Sequence, residues 1–274
     1  MGVEQIGNVG IFDGKAVKMS EMKGKVALVT GASSGIGQAV AVKFAAEGAQ
    51  VALVARHADK LAVVAREVQA KGGQPKSIAA DVSQEADIER VVRETVEAFG
   101  GIDVLVNAAG IIANGTIENT QLKDWDYMFD LNVRGPFYLV QHALPHLIER
   151  KGNVVNVSSV TGVRAFPNVL AYCASKAALD QFTHCVALEV ASKGVRVNAV
   201  NPGVVVTRLH RTGGMSEDAY AQFLEHSKAT HPLGQVGEAD EVAELIYFLA
   251  SPKAGWITGV SYSIDGGRAQ TCLR

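Results

Sequence analysis

The segment at residues 25–37, with the sequence KVALVTGASSGIG, constrains the fold of this chain more than any other stretch. Residues 26–29 form a short apolar run without polar alternation, which is typical of a strand buried on both faces of a parallel sheet. Three glycines follow, and residues 38–47 then carry apolar side chains at near-helical spacing. The segment therefore predicts a strand, a glycine turn and a helix, whose free N–H groups and dipole favour a phosphate.

The spacing of these glycines does not by itself identify a ligand. It reads G-x-x-x-G-x-G, which differs from the G-x-G-x-x-G of most dinucleotide-binding folds and from the G-x-x-x-x-G-K-[ST] of P-loops. Taken alone, the stretch is equally compatible with an ordinary strand-to-helix turn. Other parts of the chain are needed to distinguish a phosphate-binding turn from an ordinary one.

Six further apolar runs continue the alternation of strands and helices. They occupy residues 50–55, 77–80, 104–106, 154–158, 195–200 and 262–264, and stretches of helical periodicity lie between them at 56–72, 86–99, 122–150, 170–192 and 239–250. Strands separated by helical crossovers form a parallel sheet with helices on both faces. The sequence therefore predicts an α/β fold, a doubly wound seven-stranded parallel sheet in a single domain, with ligands at the carboxyl ends of the strands.

The composition argues against several classes of protein. A chain of 274 residues, 48% of them hydrophobic, is long enough for one large and well buried domain. The net charge of −2 disfavours a nucleic-acid-binding protein, which normally carries a basic face. The three cysteines, Cys173, Cys185 and Cys272, form no C-x-x-C pair, which favours a reducing compartment over a disulfide framework or a zinc site.

The hydropathy pattern predicts where the protein resides. The N-terminus lacks the basic and apolar regions of a signal peptide, and no apolar run reaches the length of a membrane span. We therefore expect a cytoplasmic protein without membrane or nucleic-acid partners. Residues 1–22 are expected to form a loosely ordered leader before a domain at 23–274.

Tyr172 and Lys176, in the sequence YCASK, combine two side chains suited to acid–base chemistry. They are four residues apart near the start of a predicted helix, so both face the same way about one turn apart. A fixed cation at ~5 Å, in an effective dielectric of ~20, lowers the pKa of a phenol by about two units, towards working pH. Interconversion of a carbonyl and an alcohol needs such a proton donor, with a cofactor supplying the hydride. In a chain with six tyrosines, however, this spacing also arises by chance.

A series of motifs, taken together and in order, resembles the short-chain dehydrogenase/reductase family. The motifs are TGASSGIG, NAAG, the segment around Asn132, Ser158-Ser159, YCASK and the NPG at residues 201–203. The resemblance covers residues 25 to about 267. It implies a single Rossmann-like domain and an NAD(P)-dependent oxidoreductase that acts on a small carbonyl or alcohol.

The resemblance also implies roles for four catalytic residues. Tyr172 is implied to be the general acid/base, and Lys176 to lower its pKa and bind the nicotinamide ribose. Ser159 is implied to hydrogen-bond the substrate oxygen, and Asn132 to hold a water that relays protons past Lys176. We choose Ser159 over Ser158 because it lies thirteen residues before Tyr172, which is the usual spacing in the family that the sequence resembles. In addition, Ser158 points the opposite way if the strand continues.

The cofactor contacts follow from the same resemblance. Residues of the phosphate and ribose turn are Thr30, Gly31, Ser33, Gly35, Ile36 and Gly37. The adenine-side contact is made by Asp81 and Val82, and the stretch under the cofactor is Asn107, Ala108, Ala109 and Gly110. The nicotinamide end adds, besides Tyr172 and Lys176, Pro202, Gly203 and Thr207.

Arg56 bears on which dinucleotide binds. Enzymes that prefer NAD place an acid at the end of the second strand, roughly twenty residues past the glycines, whereas a nearby Arg accommodates a 2′-phosphate. This chain has Ala55 and Arg56 there. The missing carboxylate removes repulsion and the guanidinium adds attraction, so the sequence predicts NADP(H), with NAD(H) as the alternative. The other reading is that Arg56 only opens a solvated helix.

Two histidines and a lid segment are further candidates. His142 and His146 are four residues apart on a predicted helix, but no acid or cysteine is near in sequence, so we expect a polar helix face and no metal. Residues 204–232 are expected to be a substrate lid, which carries Arg208, His210, Arg211, Met215, Tyr220, Phe223, Leu224 and His226. This mixture permits an anionic substrate, although solvated charge is the simpler interpretation. Arg164 and Phe166 are expected to border the pocket.

The substrate is less constrained than the reaction. Many sequences of this kind are 3-oxoacyl-acyl-carrier-protein reductases, but the bacterial fatty-acid enzyme grips its acidic carrier with arginines where this chain has Tyr138 and Leu188. An acyl-CoA or free ketone substrate remains compatible with the sequence. A cofactor-binding regulatory protein without turnover is an alternative from another class, and the four intact catalytic positions argue against it.

The expected assembly is a homotetramer. Helices at 133–149 and 170–192 have apolar faces that can pair between subunits. The family that the sequence resembles is mostly tetrameric.

Overall fold

Seven parallel strands form the centre of the molecule in the computed structural model, which describes residues 11–12, 15–16 and 21–272. The strands are β1 (Val26–Thr30), β2 (Gln50–Ala55), β3 (Gln74–Ala79), β4 (Val104–Asn107), β5 (Asn153–Val157), β6 (Arg196–Pro202) and β7 (Ser261–Ile264). Their order across the sheet is β3-β2-β1-β4-β5-β6-β7, and each neighbouring pair is parallel. The predicted seven-stranded parallel sheet is confirmed.

Helices connect the strands throughout the described part of the chain. They are α1 (Gly35–Ala46), α2 (Ala58–Ala70), α3 (Glu85–Phe99), α4 (Leu122–Phe129), α5 (Gly135–Arg150), α6 (Val160–Val163), α7 (Leu170–Val190), α8 (Leu209–Thr212), α9 (Glu217–Thr230) and α10 (Ala239–Ala250). A π-helical turn at Asp130–Arg134 joins α4 to α5. None of the helices described is long and apolar enough to cross a membrane.

Two hydrophobic clusters cover the two faces of the sheet. Helices α1, α2 and α10 form one cluster, with Phe44 among its largest side chains. Helices α3, α5 and α7 form the other, which contains Leu139. Strand β1 sends Val29 to the first cluster and Leu28 to the second. Because burial of each such side chain contributes ~1.5–3 kcal/mol, a sheet covered on both faces favours strands that are apolar throughout.

The edges of the predicted elements differ from the structure in a few places. Strand β3 begins at Gln74 rather than at residue 77, because its first residues are polar and lie at the edge of the sheet, where Pro75 is tolerated. The lid contains two helices, α8 and α9, that the periodicity did not indicate.

The predicted leader falls mostly outside the described residues. Within it, Ile11–Phe12 pairs with Lys15–Ala16 as an antiparallel ladder. Met22, at the end of the predicted leader, is buried in the cluster around α1. The ordered core therefore includes at least this residue.

The topology fixes where a ligand can bind. The chain winds outward in one direction from β1 to β3 and in the other from β4 to β7. In sheets of this kind, ligands bind in the crevice at the carboxyl ends of the strands where the winding reverses. Here that crevice lies beyond Thr30 and Asn107, the last residues of β1 and β4.

Candidate active site

A cavity of about 560 Å³ lies along the carboxyl edge of the sheet. The predicted site residues that line it are Gly31, Ser33, Gly35, Ile36, Gly37, Arg56, Asp81, Val82, Ala108, Ala109, Gly110, Ser159, Tyr172, Lys176, Pro202, Gly203 and Thr207. Three predicted residues, Thr30, Asn107 and Asn132, do not line it. The fold thus brings predicted residues that are up to 176 positions apart in sequence (31 to 207) to one space.

The glycine turn between β1 and α1 is shaped for close approach of main chain and ligand. Gly31 has φ +67°, and a Cβ on it would lie 2.7 Å from the carbonyl oxygen of Ala108. A Cβ on Gly37 would lie 2.4 Å from the carbonyl oxygen of Gly31. The first turn of α1 has no acidic side chain, and the N-cap Ser34 makes no side-chain hydrogen bond to it. Its N–H groups therefore remain available to an anion, and the cradle fits a dinucleotide pyrophosphate.

Thr30 and Asn107 support the wall of the cavity from behind. Thr30 Oγ1 accepts hydrogen bonds from the N–H groups of Ala108 and Ala109, both at 3.1 Å. Asn107 Nδ2 donates to Asn156 Oδ1 on β5 at 2.8 Å. These bonds fix the main chain after β4, which leads to Gly110.

Basic side chains line one end of the cavity, beyond β2. Arg56, His57 and Lys60 are exposed there, and Arg56 Nη1 donates to the Tyr127 hydroxyl at 3.1 Å. The nearby Asp81 carboxylate accepts from the N–H and hydroxyl of Ser83. Lys60 was missed by the sequence interpretation, although its position four residues after Arg56 on a predicted helix was a usable signal.

Tyr172 and its neighbours meet at the other end. The Tyr172 and Ser159 side chains are hydrogen-bonded to each other. Ser159 Oγ also accepts from the N–H of Thr161 at 3.1 Å. Ser158 Oγ donates instead to the carbonyl oxygen of Lys176 at 3.2 Å, so the two serines point in different directions. The structure therefore brings Ser159, and not Ser158, to the tyrosine.

The expectation that Lys176 brings the pKa of Tyr172 towards neutrality is wrong for this structure. Burial raises the pKa of Tyr172 to about 12, and the hydrogen bond with Ser159 opposes this only in part. Burial lowers the pKa of Lys176 to about 8. Lys176 Nζ donates to the Val157 carbonyl at 2.8 Å and lies 5.7 Å from the centre of the Tyr172 ring. Desolvation of the phenol is the largest cause of the shift.

Asn132 lies in the π-helical turn, held by the main chain after Gly110. Its Oδ1 accepts from the Ile111 N–H, and its Nδ2 donates to the Ile111 carbonyl, both at 3.0 Å. A Cβ on Gly110 would lie 3.2 Å from Asn132 Oδ1 and 3.6 Å from Lys176 Nζ. Gly110 therefore lets both side chains approach the same stretch of main chain, although Asn132 itself stays behind the cavity wall.

Part of the predicted lid faces the cavity. Arg208, His210, Met215, Phe223 and His226 line it. The other three lid residues do not: Arg211 pairs with Glu217, Leu224 lies outside the lining, and Tyr220 is buried. The Tyr220 hydroxyl accepts from the N–H of Thr207 at 3.3 Å and donates to its carbonyl at 3.0 Å. It thereby holds Thr207 against the glycine turn.

Phe166 lines the cavity between two arginines. The guanidinium of Arg164 lies 5.6 Å, and that of Arg268 5.2 Å, from the centre of the Phe166 ring. Arg164 Nη1 donates to the Arg268 carbonyl at 2.8 Å. Arg268 also lines the cavity, and no sequence signal pointed to it, because the contact joins segments 104 residues apart.

The two histidines of α5 have different surroundings. His142 lies near Glu85 and Glu89 of α3, with ligand atoms of the three side chains within 4.8 Å of one another. The sequence interpretation missed these acids because they belong to another helix. The two glutamates are exposed and His142 is half-buried, and none of the three lines the cavity. His146 is not part of the group.

Comparisons with known proteins agree with this geometry. A family model described as enoyl-(acyl carrier protein) reductase matches residues 31–269. The chain is 38% identical to a 3-oxoacyl-[acyl-carrier-protein] reductase of Staphylococcus epidermidis, over 89% of this chain and 98% of that protein. It is also 38% identical to a glucose 1-dehydrogenase of Gluconobacter oxydans, over 89% and 91%.

Solved structures show the same fold. A short-chain dehydrogenase/reductase from Caenorhabditis elegans, solved with its cofactor, has a TM-score of 0.88 and 34% identity and covers 92% of this chain and 97% of its own. A 3-ketoacyl-(acyl-carrier-protein) reductase from Brucella melitensis, complexed with NADH, has a TM-score of 0.82 and 34% identity, over 90% and 99%.

Proposed function

The chain belongs to the short-chain dehydrogenase/reductase family of oxidoreductases that use a nicotinamide dinucleotide, and from this premise we propose that it transfers a hydride between NADP(H) and a ketone, aldehyde or secondary alcohol. One observation carries the proposal. The glycine turn, the basic end and the Tyr172–Ser159–Lys176 group all line the same cavity, which supports a role for the first two in anion binding and for the third in proton donation.

The chain's own residues provide the proton and hold the substrate oxygen. A nicotinamide dinucleotide held by the glycine turn and the basic end of the cavity would supply the hydride. Tyr172, whose pKa is raised to about 12, is protonated at neutral pH and donates its proton to the carbonyl oxygen. Ser159, hydrogen-bonded to Tyr172, binds the same oxygen. The Lys176 ammonium stabilises the phenolate that proton donation leaves behind.

Substitution of the tyrosine tests the proposed reaction. Turnover of a panel of ketones and aldehydes with NADPH is expected to fall by about 10²-fold or more in Tyr172→Phe, because general acid catalysis contributes roughly that much. Dinucleotide binding is expected to persist. Tyr247→Phe, whose hydroxyl contacts Glu47 away from the cavity, is the matched control. Binding without turnover in the wild-type protein would favour a regulatory dinucleotide-binding protein instead.

The preference for NADP(H) is supported by the charge at the basic end of the cavity. Arg56 and Lys60 line it, and Ala55 stands where an NAD-selective acid would be expected. We expect a lower KM for NADPH than for NADH. Arg56→Ala should raise the KM for NADPH about tenfold, as expected for loss of a charged hydrogen bond, and leave the KM for NADH unchanged. A wild-type preference for NADH would contradict the proposal.

A second candidate is reduction of a 3-oxoacyl thioester, favoured by the 38% identity to reductases of that type. Leu188, at a position where the sequence comparison expects a carrier-binding arginine, is 83% exposed and apolar. Tyr138, at the other such position, has no charge. This favours a thioester of coenzyme A over one of a carrier protein. Comparison of kcat/KM for the same 3-oxoacyl group on the two carriers distinguishes them.

A further inference from the structure

Four titratable residues follow one another along α7 at four-residue spacing. They are Tyr172, Lys176, Asp180 and His184. This spacing places them on one side of the helix. The proposed reaction uses the first two and assigns nothing to Asp180, which is only 5% exposed. A carboxylate at such a position requires partners, so its contacts bear on its role.

The Asp180 carboxylate has polar side chains on three sides. Asn201 Nδ2 on β6 donates to Oδ2 at 2.7 Å, and Ser261 Oγ on β7 donates to Oδ1 at 3.3 Å. Ser158 is a third hydrogen-bonding partner. Ser261 Oγ also lies 3.2 Å from His184 Nε2. Among the described residues, the charged group that acts on Asp180 is Lys176, and the titratable group linked to it through Ser261 is His184. The Asn201 and Ser261 donors favour the ionised carboxylate, although burial raises the pKa of Asp180.

Asn201 connects this carboxylate to the Ser159 main chain. Its Nδ2 donates one proton to Asp180 and one to the Ser159 carbonyl, at 2.9 Å. Its Oδ1 has no hydrogen-bond partner among the described residues. If the amide were flipped, its oxygen would face two other acceptors and could form no hydrogen bond with them. The carboxylate and the carbonyl together therefore fix the orientation of the amide.

Lys176 depends on Asp180 in a different way. Lys176 is 4% exposed, and its Nζ donates to the neutral carbonyl of Val157. Asp180 is one helical turn away, and a Cβ on Gly162 would touch both Asp180 Oδ2 and the Lys176 main chain. The negative charge of Asp180 opposes the effect of burial, which lowers the pKa of Lys176 to about 8.

We propose that Asp180 is a positioning residue that holds Ser159 in place through Asn201 and, as a buried anion one helical turn from Lys176, keeps that ammonium charged. The kinetic consequence rests on the proposed hydride transfer. The effect on the charge of Lys176 does not, and it can be measured without any substrate.

The Asp180→Asn variant tests the charge effect, because it keeps the shape of the side chain and removes the anion. NMR titration of protein labelled with ¹³C at lysine Cε, with the Lys176 signal assigned through Lys176→Arg, is expected to show deprotonation about one pH unit lower than in the wild type. The basic limb of the profile of kcat/KM against pH should move by the same amount. Glu189→Gln, which removes an exposed carboxylate from the same helix, is the control and should move neither. An unchanged Lys176 titration in Asp180→Asn would overturn the proposal.

The Asn201→Ala variant tests the effect on Ser159 separately. It keeps the Asp180 carboxyl group and removes the amide that joins it to Ser159, so kcat is expected to fall about tenfold while the dissociation constant of NADPH stays unchanged. An unchanged kcat would overturn this part of the proposal, which stays testable even if circular dichroism shows that Asp180→Asn does not fold. Absence of turnover in the wild type would refute the proposed function, whereas the Lys176 titration would still decide the charge effect.

Discussion

Burial sets the charge states of the two residues at the centre of the proposed site. It raises the pKa of Tyr172 to about 12 and lowers that of Lys176 to about 8, because both groups leave water on folding. At neutral pH the tyrosine therefore carries its proton and the lysine its charge. Proton donation to a carbonyl needs this combination.

The pKa of Lys176 predicts the pH dependence of reduction. The ammonium is present below a pH of about 8 and is lost above it, whereas Tyr172 remains protonated up to about 12. We therefore expect kcat/KM for carbonyl reduction to fall as the pH rises through about 8. Initial rates between acidic and alkaline pH measure this. In Lys176→Arg the guanidinium stays charged, so the activity that this variant retains should not fall as the pH rises through about 8. A wild-type rate that stays level well into the alkaline range would contradict the assignment.

Gly37 is predicted to tolerate no side chain. A Cβ would lie 2.4 Å from the Gly31 carbonyl oxygen, so Gly37→Ala must displace the glycine turn from the start of α1. We expect the dissociation constant of NADPH, measured by fluorescence, to rise at least about tenfold, as after loss of one or two hydrogen bonds to a charged group. Gly237→Ala is the matched control, because its Cβ would meet Val205 at an ordinary 3.4 Å. Equal affinity in both variants would show that the turn is not the pyrophosphate cradle.

Among the elements, the strands and long helices were predictable because their signals are local. Apolar runs such as that of β1 require burial on both faces, and the structure places them at the centre of the sheet. Edge strand β3 begins with polar residues. The part of the strand that pairs first with β2 therefore could not be predicted from an apolar run. Helix α8 is short, and α9 mixes charged and apolar residues, so neither shows a clear helical periodicity.

Contacts between different elements could not be predicted from the sequence. The partners of Asp180 lie 21 and 81 residues away, on β6 and β7, and no spacing rule connects them. The same holds for Glu85, Glu89 and His142, which meet only because α3 packs on α5. The spacing of Tyr172 and Lys176 predicted proximity, but the direction of the ammonium depends on the Val157 carbonyl at the end of β5.

Tyr220 links the lid to the cofactor side of the site. Its hydroxyl makes two hydrogen bonds with the main chain of Thr207, which lies across from Gly35. Tyr220→Phe removes both, and since each contributes about 0.5–1.5 kcal/mol, the KM for the dinucleotide is expected to rise by up to about 150-fold. Tyr138→Phe, on α5 outside the cavity, is the control. An unchanged KM in Tyr220→Phe would show that Thr207 is held by other contacts.

At the scale of the whole molecule, the cavity and the Glu85–Glu89–His142 group are separate. The group lies between α3 and α5, and none of its residues lines the cavity. We therefore expect dialysis against EDTA to leave reductase activity unchanged. Loss of activity on chelation, with recovery on addition of a divalent cation, would show that a metal at this or another position supports the site.

The outer surface of α5 and α7 leads to the prediction of a homotetramer. Phe137 is 42% and Leu188 83% exposed, and Phe137 packs edge-on against Phe182 with ring centres 6.3 Å apart. Exposed apolar side chains grouped on adjacent helices are typical of subunit interfaces. Sedimentation velocity at micromolar concentration is expected to give four times the mass of one chain.

The Leu188→Glu variant should sediment as a smaller species, because a charge buried in the interface has no partner. Ile117→Glu, at a residue that is 84% exposed in the loop before α4, should leave the mass unchanged. A wild-type monomer would contradict the predicted assembly. Loss of mass in both variants would place the contact outside α5 and α7, so the comparison tests the surface as well as the number of subunits.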